Sequence, residues 1–492
     1  MRSTGWADLY AWQVDRANGT PLFRQMYLQL RSAIVSRTLA PGTRLPSTRE
    51  LASRLQVART SVISAYEQLL AEGYIAGKAR SGTFIAFDLP MPSERRPVDR
   101  VPRTSGKAPR VSVRAKALDG LRSFVAESDA TPFNMGRTRV DARTVAAWRR
   151  VTHRAIRSLD AIHLGYSDPR GLQELRETLC DYLRAARGVR CDPEQIIVTG
   201  GTQPAIDVAI RVLLDRGSEV WVEDPCYPVT YNALAFADVN VHPVPVDAQG
   251  LDVAAGVRAA PNARAAFVTS SHQFPTGVVL TMPRRLALLA WARDTGAWIV
   301  EDDYASEFRY SGRPLASLQG LDDAQRTIYV GTLNKALFPG LRIGYMVVPR
   351  PLMNAFVHAR YLIDRQPSSL EQTIVADFMR QGHFAAHIRR TRAHYREQRD
   401  ALVGELRRRA GDAITVEAPE QGMHLIAYLR GRRSDVNVER AARARGIIVR
   451  AIRPMYRNAR PRSGLILGFS GYSAEALVPA AAALAKVITA NA

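Results

Sequence analysis

The chain has 492 residues, too many for one hydrophobic core, since such cores stop growing at about 250–300 residues, so at least two domains are expected. A hydrophobic fraction of 46% excludes wholesale disorder, and a formal net charge of +22 points to a polyanionic partner, although an arginine-rich solvated surface would give the same excess. Three cysteines without a Cys-x-x-Cys pair predict no metal site. Because neither a secretory signal nor a run of about 18 apolar residues is present, we expect a cytoplasmic protein without a membrane span.

Residues 20–87 are predicted to form a small domain that begins with three helices. Apolar residues at helical spacing predict the first helix over 22–34, Ser47 or Thr48 can cap the second, and the third extends over about 59–72. The predicted buried residues of the third helix share one helical periodicity: Val62, Ile63, Tyr66, Leu69 and Leu70.

A short hairpin is predicted next, from two apolar segments around a polar turn near Gly77 and Gly82. Three helices followed by a hairpin form the winged helix-turn-helix pattern, in which a later helix enters the major groove of DNA. Arginine, serine and threonine at helix starts suit contacts with bases and phosphates. The candidate DNA-contacting residues lie at two helix starts and in the hairpin turn: Arg44, Ser47, Arg49, Arg59, Thr60, Ser61, Lys78 and Arg80. A helical domain that contacts only protein is the alternative.

The same segment carries motifs of a known family. Residues 41–52 (PGTRLPSTRELA), 58–62 (ARTSV) and 65–69 (AYEQL) resemble the DNA-binding domain of the GntR family of regulators, and the likeness covers nearly all of residues 20–87. The resemblance implies that double-stranded operator DNA is the partner of this domain.

The rest of the chain is predicted to be a linker and a large α/β domain. Residues 88–118 are rich in proline and basic side chains and predict an extended linker. Over 119–492, short apolar segments alternate with helical patterns, which predicts a mostly parallel sheet covered by helices. The strand candidates are 196–199, 220–223, 265–269, 298–301, 327–330 and 343–348.

Several reactive or anion-binding groups follow these predicted strands. Lys335 follows one strand in uncharged sequence, where desolvation would lower its pKa and give a nucleophilic amine. Three acids, Glu301, Asp302 and Asp303, end another strand, at the sheet edge where open α/β sheets bind ligands. Residues 199–203 (TGGTQ) open a helix and predict an anion-binding turn.

This combination is the one that pyridoxal phosphate requires of a protein: a lysine, an acid for the ring nitrogen, a phosphate-binding turn and a stacking group. Arg342 and Thr332 can hold the phosphate, Tyr304 can bond the ring oxygen, and Tyr227 can stack on the ring. Alone, the lysine would be read as a surface charge and the acids as a helix cap.

Three segments of the large domain resemble the MocR/GabR subfamily of GntR regulators, whose large domain is a fold type I aminotransferase: 271–277 (SHQFPTG), 301–310 (EDDYASEFRY) and 337–345 (LFPGLRIGY). The resemblance implies Lys335 as the Schiff-base lysine, Asp302 at the ring nitrogen and Tyr304 at the ring oxygen. It implies that the phosphate is held by Thr202, Gln203, Thr332 and Arg342, with Tyr227 stacking. It further implies a domain-swapped homodimer in which Tyr166 reaches the partner's phosphate.

Two departures from the aminotransferase pattern bear on function. Phe274 replaces the asparagine that usually bonds the ring oxygen, and residues 465–470 lack the arginine that clamps a substrate carboxylate. Arg450 and Arg453 are the nearby candidates for that carboxylate. The sequence therefore predicts a ligand-responsive DNA-binding regulator that senses an amine, an amino acid or pyridoxal phosphate itself. A working aminotransferase with an appended DNA-binding domain is the alternative.

Overall fold

The computed structural model describes residues 14–78, 82–88, 112, 131–312 and 315–490. The chain divides into two units, Met1–Val111 and Ser112–Ala492. Most of the predicted linker and Arg80 lie outside the described residues, as does the side chain of Lys78. In the described part of the chain, no helix has the length and apolar character needed to cross a membrane.

The N-terminal unit has the predicted three helices and hairpin. Its helices are α1 (Leu22–Val35), α2 (Thr48–Leu55) and α3 (Arg59–Ala71), and its strands β1 (Ile75–Lys78) and β2 (Gly82–Ile85) pair antiparallel. Of the two proposed caps for α2, Ser47 is the one observed, because its Oγ accepts the Glu50 N–H at 3.2 Å. Arg44 bridges to Phe84, which joins the segment before α2 to the hairpin.

One prediction for this unit is wrong. Leu70 was expected in the core, but its side chain is 52% exposed, whereas the neighbouring Leu69 is fully buried. Consecutive helical residues point about 100° apart, so only the face of α3 that carries Val62, Tyr66 and Leu69 meets the core. Ile63, also predicted as buried, is half-buried at the margin of that face.

The large unit is built on an eight-stranded sheet. Its strands are β3 (Ile196–Thr199), β4 (Glu219–Asp224), β5 (Asn240–Asp247), β6 (Gly250–Leu251), β7 (Ala265–Val268), β8 (Trp298–Asp303), β9 (Thr327–Thr332) and β10 (Gly344–Val347), in the order β3-β10-β9-β8-β7-β4-β5-β6. Strands β5, β4, β7, β8 and β9 run parallel, while β10 and β6 are antiparallel to their neighbours. The central strands are buried throughout, as expected for a sheet with helices on both faces.

The helices that flank this sheet and extend beyond it are α4 (Ala142–Arg157), α5 (Ala161–Leu164), α6 (Gln173–Arg187), α7 (Thr202–Leu213), α8 (Pro228–Phe236), α9 (Val253–Ala259), α10 (Met282–Thr295), α11 (Leu318–Leu321), α12 (Leu333–Ala336), α13 (Met353–Asp364), α14 (Ser369–Arg380), α15 (His383–Ala410), α16 (Asp435–Arg443) and α17 (Ala474–Ala490). The mostly parallel, helix-covered architecture predicted from the sequence is therefore confirmed.

A second sheet near the C-terminus was not predicted. Its strands β11 (Ile414–Val416), β12 (His424–Leu429), β13 (Arg450–Ala451) and β14 (Gly464–Gly468) are all antiparallel, in the order β11-β12-β14-β13. One apolar cluster of this sheet includes Ile426, Ile452 and Ile466, and Phe274 joins it from the loop after β7. The second sheet thus supplies one wall of the site described next.

Candidate functional site

A cavity of about 330 Å³ lies at the C-terminal ends of the parallel strands. Its lining comprises Asn134, Met135, Gly136, Thr202, Gln203, Tyr227, Val229, Thr269, Phe274, Asp302, Tyr304, Thr332, Asn334, Lys335, Pro339, Arg342, Met423, His424 and Arg450. The cavity thus brings together the residues predicted to hold the cofactor within one subunit, whereas Tyr166, predicted to reach the partner's phosphate, does not line it.

Lys335 lies on α12, the short helix that follows β9 directly. The Thr332 hydroxyl caps this helix by accepting the Asn334 N–H at 3.1 Å. Gly136 faces the amine so closely that a Cβ there would lie 2.5 Å from Nζ, and its φ of +78° also favours glycine. Burial lowers the pKa of the Lys335 amine, and the positive charge of Arg342 lowers it further. Both effects favour the neutral, nucleophilic form.

The three consecutive acids at the end of β8 have different surroundings. Asp303 forms a 2.7 Å ion pair with Arg187 and accepts the Tyr329 hydroxyl at 2.7 Å. Glu301 accepts hydrogen bonds from the Ser270 hydroxyl and from the backbone at the start of α11. Only Asp302 of the three lines the cavity, because alternate residues of a strand point to opposite faces.

Two buried polar atoms in the cavity wall lack hydrogen-bond partners among the described residues: Asp302 Oδ1 and Tyr304 Oη. Burial raises the pKa of Asp302 to about 7, with smaller contributions from the negative charges of Asp303 and Glu223. Buried polar groups normally have partners, so these two atoms call for a ligand. A protonated ring nitrogen and a ring oxygen would be suitable partners, and the residues present therefore fit pyridoxal phosphate.

An anion-binding corner occupies the other side of the cavity, where α7 begins. Gly201 has a φ of +126°, and a Cβ there would lie 2.9 Å from Asn334 Nδ2 and 3.6 Å from Arg342 Nη2. The absent side chain lets the start of α7 approach the guanidinium, which suits a phosphate. Asn334 was missed by the sequence analysis, although its place beside Lys335 was a usable signal; its Oδ1 accepts the Ile343 N–H at 2.8 Å.

The remaining walls are mostly aromatic. Tyr227 meets Phe274 edge to face, with ring centroids 5.2 Å apart. His424 lies 5.4 Å from Phe274, and its Nε2 is 3.1 Å from the Pro275 carbonyl oxygen. Burial lowers the pKa of His424 to about 4, so its ring is neutral near pH 7. Neither His424 nor Met135 was predicted, because His424 begins a strand of the second sheet, which the sequence did not predict, and Met135 lies outside the predicted strands and helices.

Two predicted residues lie away from the cavity. Tyr166 is 81% exposed, and its ring lies 4.5 Å from the Arg365 guanidinium carbon. Arg453 is exposed and does not line the cavity, whereas Arg450, the other candidate for a ligand carboxylate, does.

The candidate DNA-contacting residues cluster at the starts of α2 and α3. Arg59 Nε donates to the Thr48 hydroxyl at 3.3 Å, so these two helix starts are adjacent. Arg49 and Thr60 are exposed there, together with Ser47, and Ser61 is half-buried. Exposed polar side chains at adjacent helix starts can reach a nucleic acid.

Comparisons with known proteins agree with this architecture. Residues 22–85 match the bacterial regulatory proteins of the gntR family, and residues 128–466 match the aminotransferases of class I and II. The chain is 38% identical over 459 residues to the probable rhizopine catabolism regulatory protein MocR of Rhizobium meliloti, covering 93% of this chain and 92% of the relative. This chain belongs to the MocR/GabR subfamily of GntR regulators. The chain is also similar to the pyridoxine biosynthesis transcriptional regulator PdxR of Corynebacterium glutamicum, with 31% identity over 93% of this chain and 94% of the relative.

A solved structure supports the assignment of the large unit of this MocR/GabR regulator. LysN, the α-aminoadipate aminotransferase of Thermus thermophilus, was crystallised with N-(5′-phosphopyridoxyl)-L-leucine and is 25% identical, with a TM-score of 0.66 over 74% of this chain and 91% of its own. The large unit is therefore a fold type I aminotransferase domain, and its cofactor is pyridoxal phosphate. Together with its GntR domain, this makes the chain a DNA-binding transcription regulator.

Proposed function

We propose that this regulator senses a small amine or amino acid, or pyridoxal phosphate itself, in the cavity around Lys335, and that occupancy of the cavity alters DNA binding in the cytoplasm. The observation that carries the proposal is the convergence in one cavity of an amine of lowered pKa with two unpartnered polar atoms, those of Asp302 and Tyr304. Perturbed titratable groups in a cleft are typical of functional sites.

Each residue of the cavity has a distinct role in this proposal. When bound, pyridoxal phosphate supplies a reactive carbonyl and an electron-withdrawing ring. Lys335 attaches the cofactor, Asp302 holds the proton on the ring nitrogen and Tyr304 donates to the ring oxygen. The phosphate is held by Thr202, Gln203, Thr332, Asn334 and Arg342, while Tyr227 stacks on the ring.

The effector would contact those residues of the cavity wall that do not hold the cofactor. Arg342 and Arg450 are the arginines among the described lining residues; Arg342 lies beside the start of α7, where the phosphate would bind, so Arg450 is the candidate for contact with an effector carboxylate. Phe274 and the apolar cluster of the second sheet surround the rest of the effector. Phe274 has no polar atom for the ring oxygen, which favours sensing over efficient turnover.

A homodimer completes the proposal. Tyr166 is 81% exposed, and Leu164 and Leu362 are 78% and 83% exposed, which is unusual for side chains of this size. We infer that a second copy covers them and that Tyr166 contributes to the partner's phosphate site. Residues 88–118 would act as the linker between a DNA-binding domain at 20–87 and the large domain at 119–492, long enough for the domains to be swapped between subunits.

The test is an absorbance titration of the purified protein with a panel of amines and amino acids, read beside DNA affinity in the same samples. A sensor gives a spectral change and a change in DNA affinity with the same midpoint, because a ligand shifts a two-state protein only through its preference for one state. Multiple turnovers of an amino acid to its keto acid, with DNA affinity unchanged, would instead identify a working aminotransferase.

A further inference from the structure

Much of the positive charge of the chain lies outside the DNA-binding domain. Residues 119–492 contain 49 lysines and arginines against 38 aspartates and glutamates, an excess of 11. Helix α4 alone contributes five arginines and no acidic residue to that excess. The concentration of charge in one 16-residue helix is not explained by the cofactor site, because no residue of α4 lines the cavity.

Four of these arginines form a continuous stripe on the exposed side of α4. Thr144, Ala147, Val151 and Ala155 form the buried side, which packs toward α14. Positions seven apart nearly coincide around a helix, so the arginines at 143, 150 and 157 align, with the one at 154 beside them. We name this set the arginine stripe: Arg143, Arg150, Arg154 and Arg157, all exposed. At 1.5 Å per residue it is about 21 Å long.

The arginines of the stripe form no ion pair with any residue that the structure describes. The acids at the two ends of the helix are already engaged: Asp141 pairs with Arg390 at 2.6 Å, and Asp160 pairs with His163 at 2.6 Å. Other arginines of this unit, such as Arg184 and Arg284, do have acidic partners. Arg154 and Arg157 lie in the last turn, where they favour the helix dipole, but Arg150 and Arg154, four residues apart, repel each other, and Arg143 lies at the opposite end of the helix, so the dipole does not account for the whole stripe.

We propose that the arginine stripe is a second DNA-contacting surface, which binds duplex phosphates in addition to the contacts made by the winged helix. The inference rests on the chain being a DNA-binding regulator, and it adds a contact made by the aminotransferase domain. Duplex DNA presents one negative charge per about 1.7 Å of axis, so a 21 Å stripe of guanidinium groups can face several phosphates. The other exposed positions from 143 to 157 are Ala146, Arg149, His153 and Ile156, so basic side chains outnumber the one large apolar side chain, and the Phe, Tyr and Trp typical of a protein interface are absent from this exposed face.

The experiment measures the salt dependence of binding by the full-length protein to a random-sequence duplex of about 60 base pairs. The test variant carries Arg143→Gln, Arg150→Gln, Arg154→Gln and Arg157→Gln. The control removes the same charge from exposed arginines scattered over other elements, with Arg258→Gln, Arg264→Gln, Arg432→Gln and Arg445→Gln. Each phosphate contact contributes about 0.9 to the slope of log K against log salt.

The slope of the test variant should be smaller by about 2–4 than that of the wild type, with at least tenfold weaker binding at low salt, while the control changes it by less than about 1. Equal effects of both variants would overturn the proposal in favour of net charge. An unchanged slope in the test variant would leave an acidic protein as the occupant and overturn the DNA assignment. A wild-type protein that binds no duplex would instead refute the DNA-binding function itself.

Two further measurements guard against a folding defect. The melting temperature and the cofactor absorbance of every variant are compared with those of the wild type, and replacing all four stripe arginines by lysine should restore the wild-type slope. Should the glutamine variant unfold, Arg150→Gln alone should lower the slope by about 1, and an unchanged slope in that single variant would overturn the proposal.

Discussion

Replacing Asp302 by asparagine should have opposite effects on the empty and the cofactor-bound protein. Without the cofactor, Asp302 Oδ1 has no hydrogen-bond partner among the described residues, and burial raises the pKa of the carboxyl group to about 7. With pyridoxal phosphate bound, the same carboxylate would face a protonated ring nitrogen. Asp302→Asn should therefore stabilise the empty protein above neutral pH and weaken cofactor binding at the same pH.

The sign and size of the first effect follow from the pKa. Because the folded-state value lies above the ordinary 3.8, the stability contributed by this group is complete below about pH 4 and is lost as the pH rises through about 7. A rise of that size corresponds to about 4 kcal/mol at pH 8 if the carboxyl group were fully dry. Asp302 lines a cavity that water can enter, so we expect asparagine to recover about 1–2 kcal/mol there and nothing at pH 4.

The second effect, the loss of cofactor affinity, should be seen as a large rise in Kd. A hydrogen bond to a charged group contributes about 1.5–3 kcal/mol, which corresponds to a Kd about 10–150 times higher when it is lost. Thermal melts of the empty protein at acidic and mildly alkaline pH, and cofactor titrations by absorbance, measure the two effects. Asp303→Asn is the matched control: it leaves Arg187 buried without its ion pair and should destabilise the protein at both pH values. Destabilisation of the empty Asp302→Asn protein at pH 8, or an unchanged Kd for the cofactor, would refute the reasoning.

Four other substitutions test separate parts of the molecule. Lys335→Ala should abolish the borohydride-reducible linkage to the cofactor, as read by mass spectrometry. Arg59→Ala should weaken operator binding by about 1–3 kcal/mol and relax base preference, whereas equal effects on all sequences would remove it from base recognition. Leu69→Ala should destabilise the N-terminal unit by about 2–5 kcal/mol in urea, while the exposed Leu70→Ala stays within about 0.5 kcal/mol. Tyr166→Phe should loosen the cofactor modestly, and light scattering that shows a cofactor-saturated monomer would contradict the role of a partner subunit.

The strands that carry the site could be predicted because each is a short apolar segment bounded by turn residues. Strand β3 begins and ends where predicted. Strands β8 and β9 begin where predicted and end two residues later than predicted. The second sheet escaped prediction because its pairing is non-local: β12 pairs with β14, some 40 residues later, around a helix and a strand of two residues. Periodicity within a short window carries no information about such pairing.

The identity of the acid in the site shows a second limit of sequence reasoning. Adjacent residues of a strand point to opposite faces, so Glu301, Asp302 and Asp303 differ in role only after the fold decides which face meets the cavity. The pattern of residues favoured Asp302 but left Glu301 and Asp303 as alternatives, and the family resemblance then pointed to Asp302. In the structure, Arg187 and Ser270 engage the two neighbours, which leaves Asp302 as the acid on the cavity side.

Because the cavity lies between two sheets, a bound effector could change how the two sheets are placed relative to each other. Asp302 lies on β8 of the large sheet and Lys335 on α12 directly after β9, while His424 and Arg450 lie on strands of the second sheet. The two sheets are already joined at several points: Asp224 at the end of β4 accepts the backbone N–H groups of residues 457–459 at 2.6–2.8 Å, and His424 Nε2 lies 3.1 Å from the Pro275 carbonyl oxygen. An effector that engaged both Lys335 and Arg450 would add a further connection and so favour one placement of the sheets over others. That preference is the differential affinity that a ligand needs in order to shift a protein between two states.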